Sequence, residues 1–211
     1  MKRLAPFAVA LALALAGAPR AVAQTSPLRL GLTGGATTSS VGGSSVTLGN
    51  WKWGGVAGAF GQYFLARETY LGLDANWVQK GGDNVAVSNG EVQDLNLEYI
   101  ELPLTIGYTQ SFSGWQSNLY IGLALSFQIS CKVQGAASSN TAECDDTAGL
   151  ARKNTTDWSI PFGLGFYREL GGSLLGLDIR YMLGLSDVFE NSNIRNRSWQ
   201  FTAKWAVPLG G

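Results

Sequence analysis

The chain contains no histidine among its 211 residues. That absence excludes a Ser-His-Asp hydrolase, in which an imidazole must take and return the proton. Charge is scarce too. Only 14% of residues are Asp, Glu, Lys or Arg, and 15 basic residues face 15 acidic ones. With no positive excess to neutralise phosphates, nucleic acid is not an expected partner. Cysteine is limited to Cys131 and Cys144. Without histidine or a third cysteine they form a poor metal set, so no metal is expected. The Gly34-Gly35 and Gly42-Gly43 pairs are not followed by the Gly-Lys-Ser/Thr of a phosphate loop, so no cofactor is implied. After Ala23 no apolar run is long enough to cross a bilayer as a helix. Disorder is excluded by a hydrophobic content of 45%.

What the chain does have is glycine, aromatics and an address. There are 28 Gly, 7 Trp, 7 Tyr and 9 Phe. Residues 1–23 read as a signal peptide: Lys2 and Arg3 precede the apolar run Leu4 to Ala16, and Ala21-Val22-Ala23 is a small-x-small cleavage site. Cleavage after Ala23 leaves one domain over residues 24–211. Loss of Lys2, Arg3 and Arg20 leaves 12 basic against 15 acidic residues, a mild net charge of −3. Export permits disulfides, and Cys131 and Cys144, both in one polar stretch, are expected to pair.

The strongest pattern is alternation with period two. Leu119, Ile121, Leu123, Leu125, Phe127 and Ile129 alternate with Asn118, Tyr120, Gly122, Ala124, Ser126, Gln128 and Ser130. Large apolar residues likewise alternate with small or polar ones over Leu28 to Thr33, Leu71 to Val78, Tyr99 to Tyr108, Trp158 to Tyr167, Leu175 to Gly184 and Ser198 to Val207. The stretch Trp53 to Leu65 is a strand by composition with two possible facings. Either Val56, Phe60 and Phe64 share a face, or Ala57, Ala59, Tyr63 and Leu65 do. These are eight strands of about ten residues, the length a tilted strand needs to cross a bilayer. The fold class expected is all-β: an eight-stranded antiparallel up-and-down transmembrane β-barrel. Connections alternate between long and short, as short periplasmic turns and long outer loops would. The longest runs from about Lys132 to Asp157, with Cys131 at its start and Cys144 within it.

Periodicity does not say which face is inside, so size decides. The polar face is rich in Gly, Ala, Ser, Thr and Asn, which fit the narrow interior of eight strands. Its charges balance: Arg29, Arg180 and Lys204 against Asp74, Glu101 and Asp178. Such balance suits a closed interior, where a lone ion is costly. Trp51, Trp53, Tyr70, Trp77, Tyr108, Trp115, Trp158, Tyr167, Trp199 and Trp205 lie mostly toward strand ends, as interfacial girdles do.

Several local patterns resemble the PorT-like outer-membrane β-barrel domain family. They are Gly31-Leu32-Thr33-Gly34-Gly35, the Gly-spaced Gly54-Gly55-Val56-Ala57-Gly58-Ala59-Phe60, Gln79-Lys80-Gly81-Gly82, and Tyr120-Ile121-Gly122. The best is Leu97-Glu98-Tyr99-Ile100-Glu101-Leu102-Pro103-Leu104, similar to the family's Tyr-x-Glu-x-Pro-Leu strand. The resemblance implies an eight-stranded barrel in an outer membrane and carries no catalytic residues. Many such proteins end in an aromatic residue read during assembly. Here the last aromatic is Trp205, with Gly210-Gly211 at the end.

The expected role is therefore a non-enzymatic outer-membrane barrel with a structural or interaction function. Its partners are the lipid bilayer, the barrel assembly machinery and an unidentified extracellular or periplasmic protein. Barrels that resemble this one and act as phospholipases, deacylases or acyltransferases use a histidine, which is lacking here. Two alternatives stay open at this stage: a small barrel that transports or binds hydrophobic molecules, and a soluble periplasmic lipid-binding barrel. A carboxylate mechanism through Asp74, Glu101 and Asp178 competes with an internal salt-bridge network of the same residues. Glu143-Cys144-Asp145-Asp146 lacks the spacing of a helix-loop-helix calcium site.

Overall fold

A computed structural model of the chain describes residues 27–42, 50–86, 92–135, 141–144, 155–187 and 195–209. The expected leader 1–23, the Asp145-Asp146 pair and the C-terminal glycines lie outside the described residues.

The strands are β1 (Leu28–Gly42), β2 (Lys52–Phe64), β3 (Thr69–Ala86), β4 (Val92–Phe112), β5 (Trp115–Gly135), β6 (Thr141–Glu143), β7 (Thr156–Leu170), β8 (Ser173–Gly184) and β9 (Arg195–Leu209). All pairings are antiparallel, and the sheet closes where β1 pairs with β9 from Leu28↔Leu209 to Gly42↔Arg195. Eight strands make the wall, and the three-residue β6 adds outside the ring on the end of β5. Closure leaves no strand edge, which lipid could not hydrogen-bond.

One end of the barrel carries tight turns. Phe112 pairs directly with Trp115 across Ser113 and Gly114, at φ 47° and 79°. Leu170 pairs with Ser173 across Gly171 and Gly172, at φ 58° and 82°. Two central residues with positive φ make the two-residue hairpin whose twist matches its strands. The opposite end carries the longer connections.

The apolar face is outward. Leu32, Leu123 and Leu177 are 58%, 54% and 68% exposed, while Thr33, Ala124 and Asp178 are buried. A soluble barrel would have the reverse arrangement, so the soluble lipid-binding alternative is set aside. The open question of β2 resolves the same way: Val56 and Phe60 are buried in the lumen, and Tyr63 and Leu65 are exposed. Aromatic side chains rim the lipid face. Trp53, Trp158 and Trp199 stand toward the loop end, and Tyr63, Tyr108 and Trp115 toward the turn end. Tyr70 and Tyr167 are corrections to the expected girdle. They are 2% and 4% exposed and fill the lumen, because each sits on the inward parity of its strand.

Strand length is a second difference. The wall strands run 12 to 21 residues, well beyond the expected ten. They continue past the apolar belt at the loop end, where outward positions turn polar at Gln79, Glu98 and Lys132. In β5 the register slips between Glu98↔Ser130 and Tyr99↔Gln128. The bulge reverses parity, so Cys131 and Val133 point inward and are buried.

Candidate functional site: the lumen

The interior is built from the small and polar face of each strand, so every charge there is removed from water. Asp74 on β3 sits at the centre. Its Oδ2 accepts Arg180 Nη2 from β8 and lies 3.7 Å from Lys204 Nζ of β9. Lys204 is also 3.8 Å from Asp178 Oδ1. Tyr120 ties the group together: its hydroxyl donates to Asp178 Oδ1 at 2.7 Å and accepts from Arg180 Nε at 2.9 Å. Tyr167 OH adds a longer bond to Asp178 Oδ2 at 3.5 Å. Lys204 also lies 4.7 Å over the Phe60 ring. A buried ion is tolerated only when paired and hydrogen-bonded; Asp74, Asp178 and Arg180 meet both conditions, and Lys204 is paired with both carboxylates.

A second cluster lies toward the loop end. Glu101, fully buried, pairs with Lys80 and accepts Gln200 Nε2 at 2.8 Å. Lys80 also stands 5.4 Å over the Tyr99 ring. Of the six charges singled out from sequence, the structure thus brings Asp74, Asp178, Arg180 and Lys204 together. Glu101 goes with Lys80 instead. Arg29 stays apart near the turn end, where it donates to Gln116 Oε1 at 3.0 Å and covers the Phe64 ring at 4.3 Å.

Lys80 is one charge that sequence reading missed. The signal is present: Asp74, Asn76, Val78 and Lys80 share one parity, and β3 runs on past Val78 to Ala86. Tyr120, Tyr99 and Gln200 also belong to the inward parity, but nothing in the alternation marks them as the groups that connect the charges.

Both ends of the lumen are filled with side chains. Phe60, Tyr167, Leu174 and Ala206 cluster toward the turn end. Val41, Leu95, Leu97, Tyr99, Cys131, Val133 and Cys144 cluster at the loop end. There Cys131 and Cys144 form a disulfide, with Cα atoms 5.5 Å apart, that holds β6 against β5. Between the clusters each lumenal carboxylate of the network faces at least one cation. The arrangement can hold charge rigidly, and it leaves none of these carboxylates uncommitted for acid-base chemistry.

The family described as outer membrane protein beta-barrel domain matches residues 22–190. Among solved structures, Neisserial surface protein A aligns at 15% identity over 87% of this chain and 98% of that one, with a TM-score of 0.54. The outer membrane protein OprG from Pseudomonas aeruginosa aligns at 13% identity over 87% and 97%, with a TM-score of 0.53. The outer membrane enzyme PagL aligns at 9% identity over 84% and 99%, with a TM-score of 0.40. No curated protein matches the chain in sequence.

Proposed function

The chain belongs to the outer membrane protein β-barrel domain family, and from that premise we propose that it is a non-enzymatic, plugged barrel with a structural or interaction role. It resides in the outer membrane, embedded in the bilayer. The observation that carries the proposal is the lumen. The charges of its two clusters neutralise one another, and apolar clusters stop both ends. A diffusion pore needs a continuous aqueous path, and an eight-stranded barrel has room for little beyond its own side chains.

The reading includes an orientation. A leader on residues 1–23, cleaved after Ala23, delivers the N-terminus to the periplasm, so the turn end faces the periplasm and the loop end faces outward. Insertion is assigned to the barrel assembly machinery, and the loops are the surfaces for any protein partner. The finer PorT-like assignment is supported by the Tyr99-x-Glu101-x-Pro103 motif. All three residues are buried on the lumenal face of β4, so the motif reads as a lumen signature.

Planar-bilayer recording of the refolded chain tests the proposal. The expected result is no steady conductance beyond the bare bilayer. Stable, voltage-independent open channels would overturn it.

A further inference from the structure

At the loop end the wall is not a simple ladder. β2 pairs with β1 as far as Lys52↔Ser39, and β3 pairs with β4 as far as Ala86↔Val92. Between β2 and β3, however, the ladder stops at Val56↔Val78. Backbone pairing resumes only at the Asn50↔Asp83 bridge, and side chains span the gap between. Gly55 N–H donates to Gln79 Oε1 at 3.1 Å, and Lys52 crosses beside Gly81 to place its ammonium 2.6 Å from Asp83 Oδ1. From within, Ser39 Oγ accepts the Gly81 N–H at 2.8 Å and donates to the Gly81 carbonyl at 3.2 Å. Gly81 takes a φ of 149°, which a side chain rarely allows. At Gly54 an added Cβ would lie 2.6 Å from the Gln79 carbonyl oxygen. β3 is thereby drawn inward behind β2, and the outer wall is indented.

The indentation is a hollow of about 420 Å³, within the ~300–1,000 Å³ of small-molecule sites. Trp53 forms one rim and is 67% exposed. Lys52, Gln79, Lys80, Asn96, Leu97, Glu98 and Lys132 line the rest. Asn96 and Lys132 are register partners on β4 and β5, and among the described residues neither side chain has a hydrogen-bond or ion-pair partner.

We propose that this hollow binds the saccharide headgroup of a glycolipid from the surrounding leaflet. An exposed indole offers an apolar face for the C–H side of a sugar ring. The Asn96 amide, the Glu98 carboxylate and the Lys132 ammonium beside it offer donors and acceptors for ring hydroxyls. Lys52 is answered by Asp83 and Lys80 by Glu101, so the Glu98 carboxylate and the Lys132 ammonium leave the hollow near neutral. That balance favours a hydroxyl-rich ring over a bare phosphate. The height points to a lipid-borne sugar. Gln79↔Glu98 lies one outward rung above Trp77↔Ile100, the last apolar rung. Below the hollow the outward face of β2 is low, at Gly55, Ala57 and Ala59, and a second, apolar hollow of about 530 Å³ opens over Ala59 and Ala75 for acyl chains. Placement in the outer leaflet rests on the orientation proposed above.

The test uses the full chain in phosphatidylglycerol nanodiscs, with and without lipopolysaccharide as the probe. Native mass spectrometry counts the glycolipid retained after detergent release. Wild type is expected to retain it, Asn96→Ala/Lys132→Ala to weaken binding about tenfold, as loss of two hydrogen bonds implies, and Trp53→Ala to lower retention through loss of the stacking face. Both variants should keep a heat-modifiable band on SDS gels, which separates lost binding from lost folding. Equal retention by wild type and the double variant overturns the proposal. So does equal retention of phosphatidylglycerol, which marks a phosphate-reading interface. An epitope inserted within residues 145–154 reads orientation separately on intact cells. Exposure of that epitope with no glycolipid retention sinks the proposal and leaves the orientation standing. A masked epitope overturns both.

Discussion

Asp74 is the residue on which the lumen turns, because it answers Arg180 and Lys204 together. Asp74→Asn leaves buried Arg180 facing a neutral amide, with Asp178 as the one carboxylate beside Lys204. The expected loss is about 3–5 kcal/mol, read as a lower urea midpoint of the chain refolded in micelles. Removing charge on both sides, with Asp74→Leu and Arg180→Met, should cost less than the single change, because no ion is then stranded. A single variant as stable as wild type would mean that the network carries no stability. Leu123 and Ala124 test the facing of the wall at adjacent residues. Leu123 is 54% exposed and Ala124 is 1% exposed. Leu123→Arg places a charge against mid-bilayer lipid and should cost about 2–4 kcal/mol. Ala124→Arg instead forces a long side chain into a filled lumen and should block assembly. Wild-type stability of Leu123→Arg in lipid would reverse the assignment of the faces.

At the scale of the element, the loop end depends on its disulfide. The Cys131–Cys144 bond closes a segment with a sequence separation of 13 and holds β6 beside β5. Cys144→Ser should lower stability by about 3 kcal/mol in the chain-entropy view and open the residues after Lys132 to protease, while the turn end stays protected. Unchanged cleavage under reducing conditions would contradict this. The same strands show what was legible in the sequence. The alternation in β5 from Asn118 to Gln128 was plain, since one face is large and apolar and the other small. The parity reversal beyond it was not, because a bulge inserts one residue without changing composition. Cys131 and Val133 therefore read as loop residues until the register is seen. β2 was ambiguous because its lumenal side carries Val56 and Phe60, apolar residues where the other strands carry polar ones. Partners inside the lumen were the least legible. Arg180 on β8 and Asp74 on β3 meet across the barrel, 106 residues apart in sequence, at a separation that no local pattern encodes.

For the whole molecule, the membrane acts as the solvent for an inside-out sheet. Apolar side chains meet lipid, and the charges are kept in the interior, where they answer one another. A barrel so filled has its free chemistry on its rim and its outer wall, which is why the proposed functions lie there and not in the lumen. The most direct measurement of this architecture is the migration of the protein from carbonate-washed outer membranes on SDS gels, boiled and unboiled. The account predicts that the protein stays in the carbonate pellet and that its unboiled band runs apart from the boiled one, since a closed barrel resists SDS until heated. Release by carbonate, with one band under both conditions, would contradict it.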